Sequence, residues 1–149
     1  MLRVTRPEAG FSLTELMVTV AIAATLAGIG IPSYREYVRR ANRADATTAL
    51  LSLASAQERF YLANNTYASA AQLEEAPPDG LGMPSTERGY YTLDIDSDDL
   101  TLGYVATATI ADGEAQTDDE NCVSFSVNER SLRTAENADG DDNTEDCWR

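Results

Sequence analysis

The sequence predicts an α+β chain: a long N-terminal α-helix, apolar in its first half and amphipathic in its second, packed on an antiparallel sheet of about four strands with a disulfide-closed C-terminal region. Three observations predict it. From Phe11 to Ile31 the only charge is Glu15. From Tyr34 to about Leu62 apolar residues recur at spacings of three or four. Beyond residue 90, apolar and polar residues alternate between turn signals.

The first element is a membrane-length helix. A helix over Phe11–Ile31 rises roughly 31 Å, about one hydrocarbon core. Arg3 and Arg6 flank it on one side, and Arg35, Arg39, Arg40 and Arg43 on the other. The two basic flanks compete, so charge alone does not orient the span. Pro32, with Gly28 and Gly30 before it, weakens the helix, because Pro lacks a backbone donor and Gly is a poor helix former.

The second element carries two apolar stripes. Val38, Ala41, Ala44, Thr48 and Leu51 form one; Ala46, Leu50, Leu53, Gln57 and Phe60 form its neighbour. Together they make a broad face suited to a sheet. Arg35, Arg39 and Arg43 line another face at i, i+4, read as a solvated stripe beside Glu36 and Asp45. The other reading of that stripe is contact with anionic headgroups or with acidic neighbours.

Asn64-Asn65-Thr66-Tyr67 ends the helix, since Asn tolerates left-handed geometry. Residues 68–89 contain Pro77, Pro78, Gly80, Gly82 and Pro84, and read as a loop with one helical turn at Ala70–Glu75. Tyr91, Leu93 and Ile95 alternate in a first strand. A second is expected from Leu100 to Ile110, with Leu100, Leu102, Tyr104, Ala106, Ala108 and Ile110 on one face. Val123, Phe125 and Val127 make a third, and a short strand at Leu132 a fourth. The segment Ala135 to Asp146 reads as a solvated acidic loop. It lacks the ligand spacing of an EF-hand, so no metal site is assigned, although whether it takes calcium is left open.

Composition excludes much chemistry. All 11 basic residues are Arg, with no His and no Lys. Catalytic triads, His-ligated zinc, Schiff bases and P-loop lysines are therefore ruled out. No arrangement of carboxylates, Tyr, Ser or Cys proposes a reaction, so the chain reads as a non-enzyme with no cofactor. The net charge is −14, divided as +2 over residues 1–60 and −16 over residues 61–149. That distribution suits a basic membrane-proximal half and an acidic outer half, and argues against broad nucleic-acid binding.

The apolar segment has three readings: a secretory signal cleaved near Ala21-Ile22-Ala23, a plain single-span anchor, or a segment retained after a cut that precedes it. Glu15 separates them. An acid inside a spanning helix costs roughly 2.5–3.5 kcal/mol and marks a function. A cut after Gly10 would place a new amine on Phe11, four residues from that acid.

Gly10-Phe11-Ser12-Leu13-Thr14-Glu15-Leu16, continued through Met17-Val18-Thr19-Val20-Ala21-Ile22, resembles the processing motif of type IV prepilins. The resemblance implies cleavage after Gly10 by a membrane-bound prepilin peptidase, N-methylation of Phe11, Glu15 as the assembly carboxylate and Pro32 as the position where the helix unwinds on assembly. It divides the chain into a leader at 1–10, a transmembrane and assembly helix at 11–32, the amphipathic helix of the head at 33–63, an αβ-loop at 64–89 and the sheet with its C-terminal loop at 90–149.

Cys122 and Cys147 are the two cysteines. In an exported protein an even count suggests a disulfide, with two unpaired thiols as the alternative. In pilins, such a bridge closes the exposed C-terminal D-region, whereas major pseudopilins of type II secretion commonly use calcium there. Arg40–Ala46, Ala56–Tyr61 and Asn64–Tyr67 are similar to the PilE/ComP-type group, several of which are minor pilins. The resemblance therefore implies a pilus subunit, most like a PilE-type minor pilin. Its partners would be other pilin subunits, the peptidase, the pilus assembly machinery and the inner membrane before assembly, and it would end in an extracellular filament serving adhesion, motility or uptake. The alternatives are a DNA-binding ComP-like pilin and a pseudopilin. Against DNA, residues 61–149 hold only Arg88, Arg130, Arg133 and Arg149 against 20 acids.

Overall fold

The computed structural model describes residues 11–149, so Gly10 and the leader lie outside the described residues. Two compact units are present, Met1–Val38 and Arg39–Arg149. Helix α1, Leu13–Asn64, contributes to both.

Ser12 starts α1. Its carbonyl accepts the Leu16 amide at 3.1 Å, and its hydroxyl accepts the Glu15 amide at 3.2 Å. This N-cap satisfies one of the amides that a helix start leaves without a partner. Pro32 lies inside the helix, where its missing N–H deprives the Gly28 carbonyl of a donor. The helix ends at Asn64, and Asn65 takes φ 56°, the left-handed turn expected there.

Strands β1 (Tyr91–Asp96), β2 (Val105–Ile110), β3 (Ser124–Asn128) and β4 (Arg133–Glu136) form one antiparallel sheet in sequence order. Leu93, Ala108, Phe125 and Ala135 lie in register across it. Leu50, Leu53 and Phe60 of α1 enter the same core as this row. The stripe Ala46, Leu50, Leu53, Gln57 and Phe60 is buried, with Ala49 and Ala56 beside it; Ala41, Ala44, Thr48 and Leu51 are exposed. The apolar face is thus half as broad as the periodicity suggested, because a single sheet covers one side of a helix.

Four expectations need correction. The second strand begins at Val105, not Leu100. Asp99 instead builds a turn, its carboxylate accepting the Thr101 amide at 2.9 Å and its carbonyl the Leu102 amide at 2.9 Å. Leu102 consequently points outward. The fourth strand covers Arg133–Glu136, and the acidic segment is not all loop, since it also supplies helix α2, Thr144–Cys147. The helical turn in residues 68–89 is the short 3-10 turn Ala70–Gln72.

Cys122 and Cys147 form a disulfide. It joins α2 to the residues that lead into β3. Trp148 follows, edge-on to Phe125 at 6.0 Å between centroids and donating its indole N–H to the Thr134 carbonyl at 2.9 Å.

Candidate functional site

The apolar half of α1 is a surface, not a core. Every residue from Phe11 to Tyr34 is exposed, and this stretch makes α1 long and apolar enough to cross a membrane. Its polar side chains turn back on the helix. Thr19 donates to the carbonyls of Glu15 and Leu16 at 3.0 and 2.8 Å, Thr25 to those of Ala21 and Ile22 at 2.9 and 2.8 Å, and Ser33 to Ile29 at 3.0 Å. Such local pairing lets hydroxyls sit in an apolar medium without an unsatisfied group.

Glu15 differs. Its amide is capped by Ser12, but its carboxylate has no hydrogen-bond or ion-pair partner among the described residues. The local geometry fixes the backbone under Glu15 and leaves the acid available. Phe11, 77% exposed, lies one turn before it and outside the helix. Of the residues singled out in the sequence, Phe11, Glu15 and Pro32 thus lie on one exposed apolar segment, while Cys122 and Cys147 belong to the other unit.

The sequence reasoning missed a polar cluster under the sheet. Arg43, expected to be solvated, is buried. Its Nε meets Asp119 Oδ2 at 2.6 Å and its Nη2 meets Oδ1 at 2.7 Å. Gln116 donates to Asp119 Oδ2 at 2.8 Å and to the Arg39 carbonyl at 3.2 Å. The β2–β3 connection is thereby fastened to α1. The Tyr91 hydroxyl lies beside Gln116 without a partner in hydrogen-bond geometry, and Gln116 Oε1 is unpaired as well. Burial, reinforced by the Asp119 charge, raises the Tyr91 pKa, while Arg43 pulls the other way. A signal for Arg43 was present: it stands three and seven residues before Ala46 and Leu50, on the stripe that became buried. Its acidic partner, 76 residues away, gave none.

Buried Gln57 is a second missed anchor. It accepts the Ala68 amide at 2.7 Å and donates to the Ala68 carbonyl at 2.9 Å, standing in for a backbone neighbour. Of the four arginines in residues 61–149, three are engaged. Arg130 pairs with Glu129 at 3.1 Å, Arg149 with Asp146 at 3.5 Å, and Arg133 lies over Trp148 at 5.2 Å. No cluster of metal-ligating side chains is found among the described residues.

Comparison with known proteins places these features. Residues 32–126 match the family model described as "Type IV minor pilin ComP, DNA uptake sequence receptor", and residues 5–31 match the prokaryotic N-terminal methylation motif. The chain is 30% identical over 115 residues to a fimbrial protein of Pseudomonas aeruginosa, covering 74% of each. It is 28% identical over 106 residues to the type IV major pilin protein PilE1 of Neisseria gonorrhoeae, covering 71% of this chain and 41% of that one. A match to the type IV major pilin protein PilA of Myxococcus xanthus is 39% identical over 62 residues, covering 42% of this chain and 28% of that one. The chain thus spans less than half the length of these last two relatives. A solved type IV pilin from Shewanella oneidensis aligns with TM-score 0.45 and 23% identity, covering 64% of this chain and 89% of that one.

Proposed function

The chain belongs to the type IV pilin family, within the group of ComP-type minor pilins, and from that premise we propose that it is a pilus subunit assembled through the apolar half of α1. The observation that carries this reading is the Glu15 carboxylate, unpartnered on a helix face with no apolar cover. Cleavage after Gly10 gives Phe11 an α-amino group, and a neighbouring subunit can offer that cation to Glu15. Two desolvated charges that meet at one stagger set the axial register of the filament. Every other stagger leaves an unpaired charge in an apolar medium. Pro32 is the position where α1 yields as the subunit leaves the membrane, because the helix has already lost a hydrogen bond there. The precursor resides in the inner membrane and the mature subunit in an extracellular filament, with the prepilin peptidase and the pilus machinery as partners.

The deciding experiment is mass spectrometry of the mature N-terminus. Methylated Phe11 is the expected first residue. Ala24 in that position would identify simple secretion and remove the proposal.

A second reading, DNA reception, is favoured by the match to a family described as a DNA uptake sequence receptor. The acidity of residues 61–149 and the engaged state of Arg130, Arg133 and Arg149 count against it. Phosphate contacts need clustered cations. Gel-shift titration of the detergent-solubilised chain at low salt is the most permissive test, and no shift is expected.

A further inference from the structure

The head carries an apolar groove that the pilin reading leaves without a role. It lies between the end of α1 and the following loop, and Ala56, Phe60, Ala63, Pro78 and Leu81 line it with Arg59. Its volume is about 180 Å³, above the roughly 150 Å³ of a cavity that holds a benzene ring. Gly80 lies in one wall, where the loop packs so closely that a Cβ would collide with the Gln72 carbonyl and with Glu75 behind it. Arg59 is exposed and has no ion-pair partner among the described residues. The groove therefore asks for an apolar side chain with carboxylates around it.

One segment of the same chain has that chemistry. Leu102 is 79% exposed at the tip of the Asp99 turn. It shares a surface hollow with Asp96, Asp98, Asp99, Glu129 and Arg130, whose guanidinium is paired with Glu129, so the acids outnumber the one cation there. The competing exposed leucines fit less well. Leu62 stands on α1 beside the groove itself, and Leu132 is flanked by Arg130 and Arg133, which would face Arg59 with like charge. Leu102 does not line the groove of its own chain.

We propose that Leu102 of one copy enters the groove of a second copy, with Asp98 facing the partner's Arg59. The two patches differ, so the contact is heterologous. It joins two copies wherever they are neighbours in the filament, with no two-fold axis to close the pair. That geometry extends the helix-mediated assembly to the heads. The proposal rests on the pilus-subunit reading and adds to it which head surfaces meet.

The test is site-specific photo-crosslinking of the full chain in filament-producing cells, with a photoreactive amino acid replacing Leu102. Filaments are sheared, and cross-linked peptides are mapped. A dimer whose cross-link falls within residues 56–64 or 77–81 of the second copy is expected. Arg59→Asp should cut the dimer yield by about two- to five-fold, the range of an exposed ion pair. Adding Asp98→Arg should restore it. Cross-links to another protein, to a different segment or within one chain would overturn the proposal. So would their absence from filaments that contain the subunit. A subunit missing from the filaments altogether would remove the pilus reading as well.

Discussion

Arg43 and Asp119 form a bidentate ion pair between α1 and the β2–β3 connection, with both side chains shielded from solvent. Two charges at such a site are stabilising only as a pair. Arg43→Ala should therefore lower stability by about 3–5 kcal/mol, because Asp119 is left buried and uncompensated. The double replacement Arg43→Met with Asp119→Leu should cost much less. Urea unfolding of the detergent-solubilised chain measures both, and equal losses in the two variants would contradict the pairing.

Tyr91 predicts the opposite sign. Its hydroxyl is buried and poorly placed against Gln116, so its desolvation penalty is at best weakly compensated. Tyr91→Phe keeps the ring, which packs edge-on to Phe125 at 5.7 Å. Stability should stay level or rise by about 1 kcal/mol. A loss of about 2 kcal/mol or more on the same urea assay would show that the hydroxyl is satisfied in solution.

The Cys122–Cys147 bridge spans a sequence separation of 25 residues. Loop-closure entropy gives it about 3.5 kcal/mol of stabilisation. Replacing both cysteines by Ser should lower the melting midpoint, and hydrogen exchange should show residues 137–149 losing protection first. β1 and β2 should be the last to open.

Gly10→Glu should leave the leader attached, visible as a heavier precursor by mass spectrometry. Glu15→Ala should be cleaved normally yet reduce the subunit in sheared filaments by at least about tenfold, since breaking one side of a desolvated charge pair costs roughly 2–5 kcal/mol. Normal processing and normal filament content in both variants would contradict the assembly reading.

Asp142 sets a pH dependence. Its carboxylate accepts the Thr144 hydroxyl at 2.6 Å and the Thr144 amide at 2.9 Å, and these bonds hold its pKa below the ordinary 3.8. A folded pKa below the unfolded one gives stability that is complete above the unfolded value and lost as pH falls through the folded value. The turn ahead of α2 should thus stay closed at neutral pH and loosen only below about pH 4. Titration of the Asp142 side chain by NMR should give a midpoint under 3.8. In Asp142→Asn, exchange at Thr144 should no longer depend on pH in that window beyond the intrinsic rate.

The features with local physical causes were legible in the sequence. A 21-residue apolar run with one acid, Asn65 at a helix end and period-two alternation in the strands all act over a few neighbouring residues. Their meaning survives without knowledge of what lies across the fold. The face of α1 that would be buried, the start of β2 and the fate of Arg43 were decided at longer range. The sheet covers one stripe of the helix, so Ala41 and Leu51 stay outside while Leu50 and Leu53 go in. Asp99 diverts Leu102 from its strand into a turn, where its own carboxylate supplies the bonds a ladder would have given. Arg43 reads as solvated beside Arg35 and Arg39, because its place on the buried stripe marks the position but supplies no partner for the charge. Only the fold brings Asp119 across 76 residues to meet it, and a buried charge is tolerable only once its partner has arrived.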